Sequence, residues 1–365
     1  VTRHADVFEV SRRSDVFWNT PRSAPGPDIQ YDVLEGMGFS PKSLVQLHGE
    51  VHNKYRQVTT EWFKPAAVKK LQPAIDAIAD DFVAKLETFD GECDFATDLA
   101  VPFTLHVIMS IFGVPERDEA LMLQLTQGIF GAADPEYLGD FTDPFALLQG
   151  SIEQFQAYFD AITADRRANP TGDIATVLAN GTVDGAPLAD AELLWYYIII
   201  ATAGHDTTSF ALSGGFEQLL RNPDQVQALR DDPELCGNAA EEMIRWTSPV
   251  RSFERWVQED VVLGGVQLRA GDAVLTSYPS ANRDESVFTD PDRFDVRRSD
   301  ADKLLSFGLG MHYCLGAPLA RREVRTFTRK VLERVDTIEL AGEPQWSSSH
   351  FVSGVKHLPI RYTLR

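Results

Sequence analysis

At 365 residues the chain allows one large domain or two ordinary ones, and its 44% hydrophobic content is enough for a substantial core. A formal net charge of −20 argues against nucleic acid and anionic membrane as partners. Three cysteines far apart in sequence (Cys93, Cys236, Cys314) argue against a disulfide framework and for a reducing, cytoplasmic setting. No signal-peptide pattern opens the sequence. The most apolar run, Leu193 to Ala203, is too short to span a bilayer.

Residues 1–18 read as a strand end and a short helix, so a further segment is expected ahead of Val1. Residues 19–47 are rich in proline, glycine and serine and weakly periodic, a long loop of the kind that carries function. An amphipathic helix follows, from His48 to about Lys64. His48 and His52 are four apart and would share a helical face. A zincin helix needs glutamate directly after its first histidine, and Gly49 stands there instead. His52 and Arg56 are also one turn apart, and an imidazole and a guanidinium so spaced can clamp one carboxylate.

Residues 66–165 read as successive helices: Val68 to Leu86, Val101 to Phe112 closed by Gly113-Val114-Pro115, and Ala146 to Asp165. The aromatic-rich interval Gly128 to Pro144 reads as a loop, either a lid or an ordinary connection. A long helix then runs from a cap at Asp190 to about Leu220, stopped by Asn222-Pro223. Its centre is Ala203-Gly204-His205-Asp206-Thr207-Thr208, a poor choice for the middle of a core helix. Glycine there costs up to about 1 kcal/mol relative to alanine. Threonine hydroxyls can turn back onto the helix and bend it. A local rule broken inside a core helix points to function.

Two further helices occupy 224–246. The second places Glu242 and Arg245 three apart on one face, worth tenths of a kcal/mol if exposed. Residues 250–280 switch to short strands with glycine turns, and 349–359 read as a hairpin. Between them lies Ser306-Phe307-Gly308-Leu309-Gly310-Met311-His312-Tyr313-Cys314-Leu315-Gly316-Ala317-Pro318, directly before a helical pattern. Cys314 thus precedes a helix N-terminus, whose N–H groups favour a thiolate. Glycines on both sides allow close approach to something flat. A lone cysteine is most often a small core residue. A redox pair would need a second cysteine nearby, and a dinucleotide loop would need a glycine where Tyr313 stands.

The spacing Phe307-Gly-x-Gly-x-His-x-Cys-x-Gly316 resembles the haem-binding loop of the cytochrome P-450 family, the haem-thiolate monooxygenases of soluble bacterial type. The Gly204-x-Asp206-Thr207 run resembles that family's oxygen-activation motif, and Glu242-x-x-Arg245 its Glu-x-x-Arg motif. The resemblance implies a mainly α fold with small β-sheets (α+β), a long central helix crossing over haem. It implies one domain over 1–365, richer in strand at about 250–280 and 335–365. Cys314 would be the thiolate ligand of haem b iron. Phe307, Gly308 and Gly316 would shape the cofactor loop, while His52, Arg56, Arg255 and His312 would put cationic donors around the propionates. Asp206 would relay protons, Thr207 would hydrogen-bond dioxygen, and Gly204 would leave room for it. Glu242 and Arg245 would form a structural ion pair with Arg297 or Arg298 as a third member, Arg293 being the weaker alternative.

By the same resemblance, one atom of O2 enters a C–H bond of a small-to-medium hydrophobic substrate: a terpenoid, steroid or aromatic hydrocarbon. The helix face at Ile199, Ile200 and Ala203, with Val250, Phe253 and Phe351, supplies the candidate pocket residues. No flavin or iron–sulfur motif is present, so electrons are expected from a ferredoxin served by an NAD(P)H-dependent ferredoxin reductase. Its docking site is expected near Arg321, Arg322, Arg325 and Arg329 on a monomer. A peroxide-driven peroxygenase and a non-catalytic haem sensor are the rival readings. The Asp206-Thr207 pair argues against both.

Overall fold

The computed structural model of the protein describes residues 1–25, 43–131, 134–138 and 143–365. Most of these lie in helices whose apolar faces meet in one large core. The long helix spans Asp190–Arg221 and is buried on nearly every face. It packs against Val101–Phe112, Cys236–Thr247 and Ala317–Arg334, and so passes through the centre of the helical layer. Its N-cap is Ala189 rather than Asp190. The Glu192 carboxylate accepts the Ala189 N–H at 2.8 Å, supplying the cap that alanine lacks. At the other end Pro223 opens the next helix, as expected.

The helix expected over Val68 to Leu86 is broken into Pro65–Lys70 and Gln72–Ala84, with Lys85–Thr88 as a 3-10 turn. Pro73 explains the break, because proline fits the first turn of a helix and not its interior. Val101–Phe112 ends as expected on Gly113, whose φ of +74° is the left-handed closing conformation. Together with the preceding turn, Phe95–Phe112 is long and apolar enough to cross a bilayer by length and composition. It is 67% buried, which accounts for its apolarity as core packing.

The interval Gly128 to Pro144 is less loop-like than its composition suggests. Gly128 belongs to the helix Glu119–Phe130, and Pro135–Leu138 forms a helical turn. Residues 132–133 and 139–142, like 26–42 of the expected long loop, lie outside the described residues.

The strands form small antiparallel sheets. One orders Phe17–Trp18, Ser252–Val257 and Ala273–Ser277, with Phe17 opposite Val257 and Arg255 opposite Val274. Val1 lies along its edge. Its ammonium donates to the Leu275 carbonyl at 2.6 Å, and its own carbonyl accepts the Ser277 N–H at 2.9 Å. A second sheet orders Glu92–Asp94, Pro359–Leu364 and Val335–Leu340. The C-terminal hairpin is wider than expected: Gln345–Trp346 pairs with Val355–His357, and Val352 near its tip bridges to Val250.

Candidate active site

The loop before Ala317–Arg334 is tightly constrained. The Cys314 N–H donates to the Phe307 carbonyl at 2.8 Å, closing the turn. Gly308 and Gly310 have φ of +64° and +65°, where side chains are strained. A Cβ on Gly310 would also lie 2.9 Å from the Ser11 carbonyl, so the loop is pressed against the first helix. Gly316 differs: its φ is −82°, and a Cβ there would meet nothing within 4 Å. Nothing in the chain itself demands glycine at that position. Arg321 supports the loop from outside. Its guanidinium lies 4.4 Å from the Phe307 ring centroid, donates to the Tyr313 hydroxyl, and pairs with both oxygens of Glu241. Burial pushes the Cys314 thiol up, while the Gly316 and Ala317 N–H groups and the Arg56 and Arg321 charges pull it down.

Around this loop the structure gathers imidazoles and guanidinium groups that, Arg321 apart, meet no carboxylate among the described residues. His52 is buried in Gly49–Phe63, and its ring centroid is 4.2 Å from that of His312. His48 is the N-cap of that helix, not a member of its face. Its ring still stacks 5.9 Å from His312 and 4.8 Å from Trp18. Buried His52 Nδ1 and His312 Nε2 have no hydrogen-bond partner. Arg255 is 5% exposed, yet its guanidinium donates to the adjacent Glu254 carbonyl and, among the described residues, to no carboxylate. Arg56 donates to the Tyr313 carbonyl at 2.7 Å. Burial, then the Arg56 and His48 charges, push His52 down to about 4, against a hydrogen bond to Asn53 that acts upward. His312 is driven further down by burial and then by the charges of Arg255, His52, His48 and Arg56. Buried donors left unpaired are costly, so this cluster is built for an anion the chain does not supply.

On the long helix, exposure returns at Ile199, Ala203, Gly204, Asp206 and Thr207. These fall on one stripe of an otherwise enclosed rod. The Thr207 hydroxyl donates to the Ala203 carbonyl at 3.0 Å. Asp206 is raised by burial, and His205 beside it lowers it. Gly204 packs against the neighbouring helix: a Cβ would come within 2.5 Å of the Ile108 side chain. Close helix contact, rather than room for a ligand, is what the glycine provides in this direction.

The pair Glu242–Arg245 is fully buried and bidentate, at 2.6 and 2.9 Å. Of the arginines weighed as its third member, Arg298 takes the place, with Nε 3.1 Å from Glu242. It also donates to the Asp290 and Arg293 carbonyls. The candidate pocket residues divide. Val250 meets Val352, and the Phe253 and Phe351 rings are 5.4 Å apart, so three of them converge. Ala203 is exposed on the stripe. Ile200, at 7% exposure, belongs to the core, and its neighbour Ile199 is the more open residue.

A family model for cytochrome P-450 matches residues 22–363. A Pseudomonas protein named cytochrome P-450-terp is 40% identical over 99% of this chain and 87% of its own length. A steroid C26-monooxygenase of Mycolicibacterium smegmatis is 34% identical over all of this chain and 83% of its own. The crystal structure of CYP108D1 from Novosphingobium aromaticivorans superposes with a TM-score of 0.92 at 38% identity, covering 100% of this chain and 87% of that one.

The chain belongs to the cytochrome P-450 family. It is a monooxygenase of that family, and its fold is the expected α+β one with the long central helix. Cytochrome P-450 activity depends on haem iron and O2. The residues present fit haem: the two orphaned imidazole nitrogens and buried Arg255 call for carboxylates such as propionates, beside a half-buried thiol.

Several contacts at and beyond this cytochrome P-450 site differ from what the sequence suggests. His48 was readable only as a helical neighbour of His52, because its contacts are set by Trp18 and His312. The arginines on Ala317–Arg334 were expected as an open basic cluster. Instead Arg321 holds Glu241, Arg322 donates to Gln72, Arg325 pairs with Glu234 at 3.3 Å and Arg329 with Glu333 at 3.7 Å. Asp134 is 1% exposed and takes the Lys356 ammonium at 2.7 Å, joining the helical turn at 135–138 to the C-terminal hairpin. No local pattern announces a pair more than two hundred residues apart.

Proposed function

We propose that this cytochrome P-450 inserts one oxygen atom from O2 into a C–H bond of a small-to-medium hydrophobic substrate: a terpenoid, steroid or aromatic hydrocarbon. The observation that carries the reading is the pair of unpartnered imidazole nitrogens on His52 and His312, with the buried Arg255 guanidinium that meets no carboxylate among the described residues, around the Cys314 loop. In this reading His52, His312, Arg56 and Arg255 hold the propionates of haem b, and Cys314 binds its iron as thiolate. Gly308 and Gly310 shape the loop, and Phe307 and Arg321 brace it. The bound haem supplies dioxygen activation and C–H oxidation. The protein's own contribution is proton handling and exclusion of water. Asp206 holds a proton on the exposed stripe, and the Thr207 hydroxyl, whose hydrogen goes to the Ala203 carbonyl, offers lone pairs there. Val250, Phe253 and Phe351 form an apolar wall that orients the substrate.

Two relatives carry names that speak of hydrophobic substrates, the steroid C26-monooxygenase above and a methyl-branched lipid omega-hydroxylase of Mycobacterium bovis. An M. marinum cytochrome P-450 was crystallised with pseudoionone, at TM-score 0.92 and 32% identity over 99% of this chain and 86% of that one. These support the substrate class. For electrons, a ferredoxin docks over the cleft outside the cysteine loop, lined by Arg56, Lys64, Gln72, Tyr313, Arg321 and Arg322. Positive charge on an otherwise acidic chain supports an acidic partner.

Carbon monoxide binding to the reduced protein tests the reading. A red-shifted Soret band is expected in the wild type and absent in Cys314→Ala. A wild type without that band, or without co-purifying porphyrin, would remove the proposal. Screening a hydrophobic library for the haem spectral shift, followed by turnover with ferredoxin and its reductase, fixes the substrate.

A further inference from the structure

The C-terminal hairpin carries a histidine whose two ring nitrogens both face carboxylates. His357 Nδ1 is 2.7 Å from Asp94 Oδ2, and Nε2 is 2.9 and 3.1 Å from the two oxygens of Glu136. Asp94 ends the strand Glu92–Asp94, and Glu136 belongs to the turn Pro135–Leu138. One ring thus joins three segments of the chain. The neighbouring charges run through the same contact. Lys356 Nζ is 2.7 Å from Asp134 Oδ1 and 2.9 Å from Glu136 Oε2. Asp134 Oδ2 accepts the Ser348 N–H at 2.7 Å, which brings in the opposite arm of the hairpin. Asp98 accepts the Asp94 N–H at 2.8 Å, the Tyr137 ring lies 5.9 Å from Lys356 Nζ, and Gln345 is opposite His357 in the hairpin. The carboxylates of Asp94, Asp98, Asp134 and Glu136 therefore gather around one ammonium and one imidazole.

Geometry decides the protonation state. A neutral imidazole carries one ring hydrogen, so one nitrogen would turn a lone pair on a carboxylate. An imidazolium donates from both nitrogens and satisfies both partners. His357 accordingly stands above its ordinary value: burial acts downward, and the bonds to Asp94 and Glu136 outweigh it. Glu136 stands below its ordinary value: burial acts upward, and Lys356 and His357 outweigh it.

The two carboxylates are not equally free to leave. Asp94 Oδ1 accepts the Ala96, Thr97 and Leu358 N–H groups at 2.9, 3.3 and 2.9 Å. It caps Phe95–Ala100 and is held there with or without the histidine. The Glu136 side chain is 45% exposed and sits on a turn of four residues. When one proton leaves the ring, the hydrogen that remains belongs on Nδ1, toward Asp94, and bare Nε2 faces Glu136.

We propose that His357 is a proton-operated clasp: as imidazolium it ties the turn Pro135–Leu138 to the hairpin through Glu136, and as imidazole it releases that carboxylate. Lys356 alone then holds the turn, shared between Asp134 and Glu136. The direction with pH follows. A histidine held above its ordinary value of 6.5 contributes fully below that value and loses its contribution as pH rises through the folded one. Seating of the turn therefore weakens toward alkaline pH. The hairpin also carries Phe351 and Val352, so the clasp sets how firmly the apolar wall is backed. That consequence rests on the function proposed above, whereas the clasp itself is read without substrate or turnover.

Amide hydrogen exchange of the ferric holoenzyme tests the clasp at Asp134, Glu136 and Ser348, from about pH 6 to 9, corrected for the intrinsic rise of exchange with pH. In wild type, protection should fall about three- to fivefold in one step. His357→Gln should show the low protection throughout. His357→Arg, charged at every pH, should keep the high protection past the wild-type step. Nitrogen-15 spectra of the histidine-labelled, reduced, carbon monoxide-bound protein give a second readout, with His357 assigned by its loss in His357→Gln. The His357 midpoint should lie above 6.5 and coincide with the exchange step, with hydrogen on Nδ1 in the neutral form. Glu136→Gln should lower that midpoint by about half a unit or more. A midpoint below 6.5, hydrogen on Nε2 in the neutral form, flat protection in wild type, or a step that survives in His357→Gln overturns the proposal. A hydrophobic library that gives no haem spectral shift would remove the substrate wall and leave the exchange step standing.

Discussion

Two polar clusters lie near the cysteine loop, and they are built on opposite terms. In the first, Glu242 faces Arg245 and Arg298, and the remaining donors find the Asn282, Pro291, Asp290 and Arg293 carbonyls. The Asp295 N–H adds a further bond to Glu242. In the second, His52 and Arg255 are also buried, His312 beside them has a buried ring nitrogen, and among the described residues no carboxylate reaches them. A buried ion completed by its own chain serves the fold. A buried donor left open serves something that arrives later. The difference lies in the partners and not in burial or residue type.

Breaking the closed cluster should have the largest effect. Arg245→Met leaves Glu242 buried with half its partners, at a cost of about 3–5 kcal/mol. Urea unfolding should show it directly, and a loss under about 1 kcal/mol would mean the cluster is not structural. The open cluster should respond to pH instead. His52 has its folded pKa pushed down to about 4 from the ordinary 6.5, so the unfolded chain binds the proton more readily between those values. Its contribution is therefore complete above pH 6.5 and lost as pH falls toward 4, by up to about 3 kcal/mol. Haem-free protein should lose melting temperature across that window, and the holoenzyme should lose less. Equal losses would mean that no carboxylate reaches the cluster.

Arg255→Met sharpens the contrast, since its removal relieves an unpaired charge. The haem-free fold should be as stable as wild type or more so. Haem transfer to apomyoglobin should speed up on the order of tenfold or more, as for one partner lost from a buried pair. The smallest effect belongs to the surface. Arg322→Gln with Arg325→Gln should slow reduction by ferredoxin a few-fold at low salt and leave the substrate-induced spectral shift unchanged. Unaltered reduction kinetics would move the docking site elsewhere.

The same contrast shows what could be read from the residues alone. The cysteine loop, the Gly204-to-Thr207 run and the Glu242–Arg245 pair are short-range patterns, each carried by spacing of ten residues or fewer. The long helix was legible for the same reason, with only its cap displaced by one residue because Glu192 substitutes for a capping side chain. What was not legible joins distant segments. Sequence left Arg297 and Arg298 open because they are adjacent, and only the path of the chain past Glu242 separates them. Thr126 and His205 are 79 residues apart, and neither is unusual in its own helix. Gly128–Phe130 read as loop because glycine and aromatic residues suit turns, whereas in the fold Gly128 is helical and lies against Ser151.

The contact of Gly310 with the Ser11 carbonyl has a bearing on how the enzyme matures. The two residues are separated by nearly the whole chain, so the backing of the sulfur-bearing turn closes one of the longest loops in the molecule. Such closures come late in folding, after local helices have formed. During synthesis His4–Arg12 is made long before Cys314, and only the meeting of the two segments gives the turn its final curvature. Competence to take up iron porphyrin should accordingly arise in the last stage of folding.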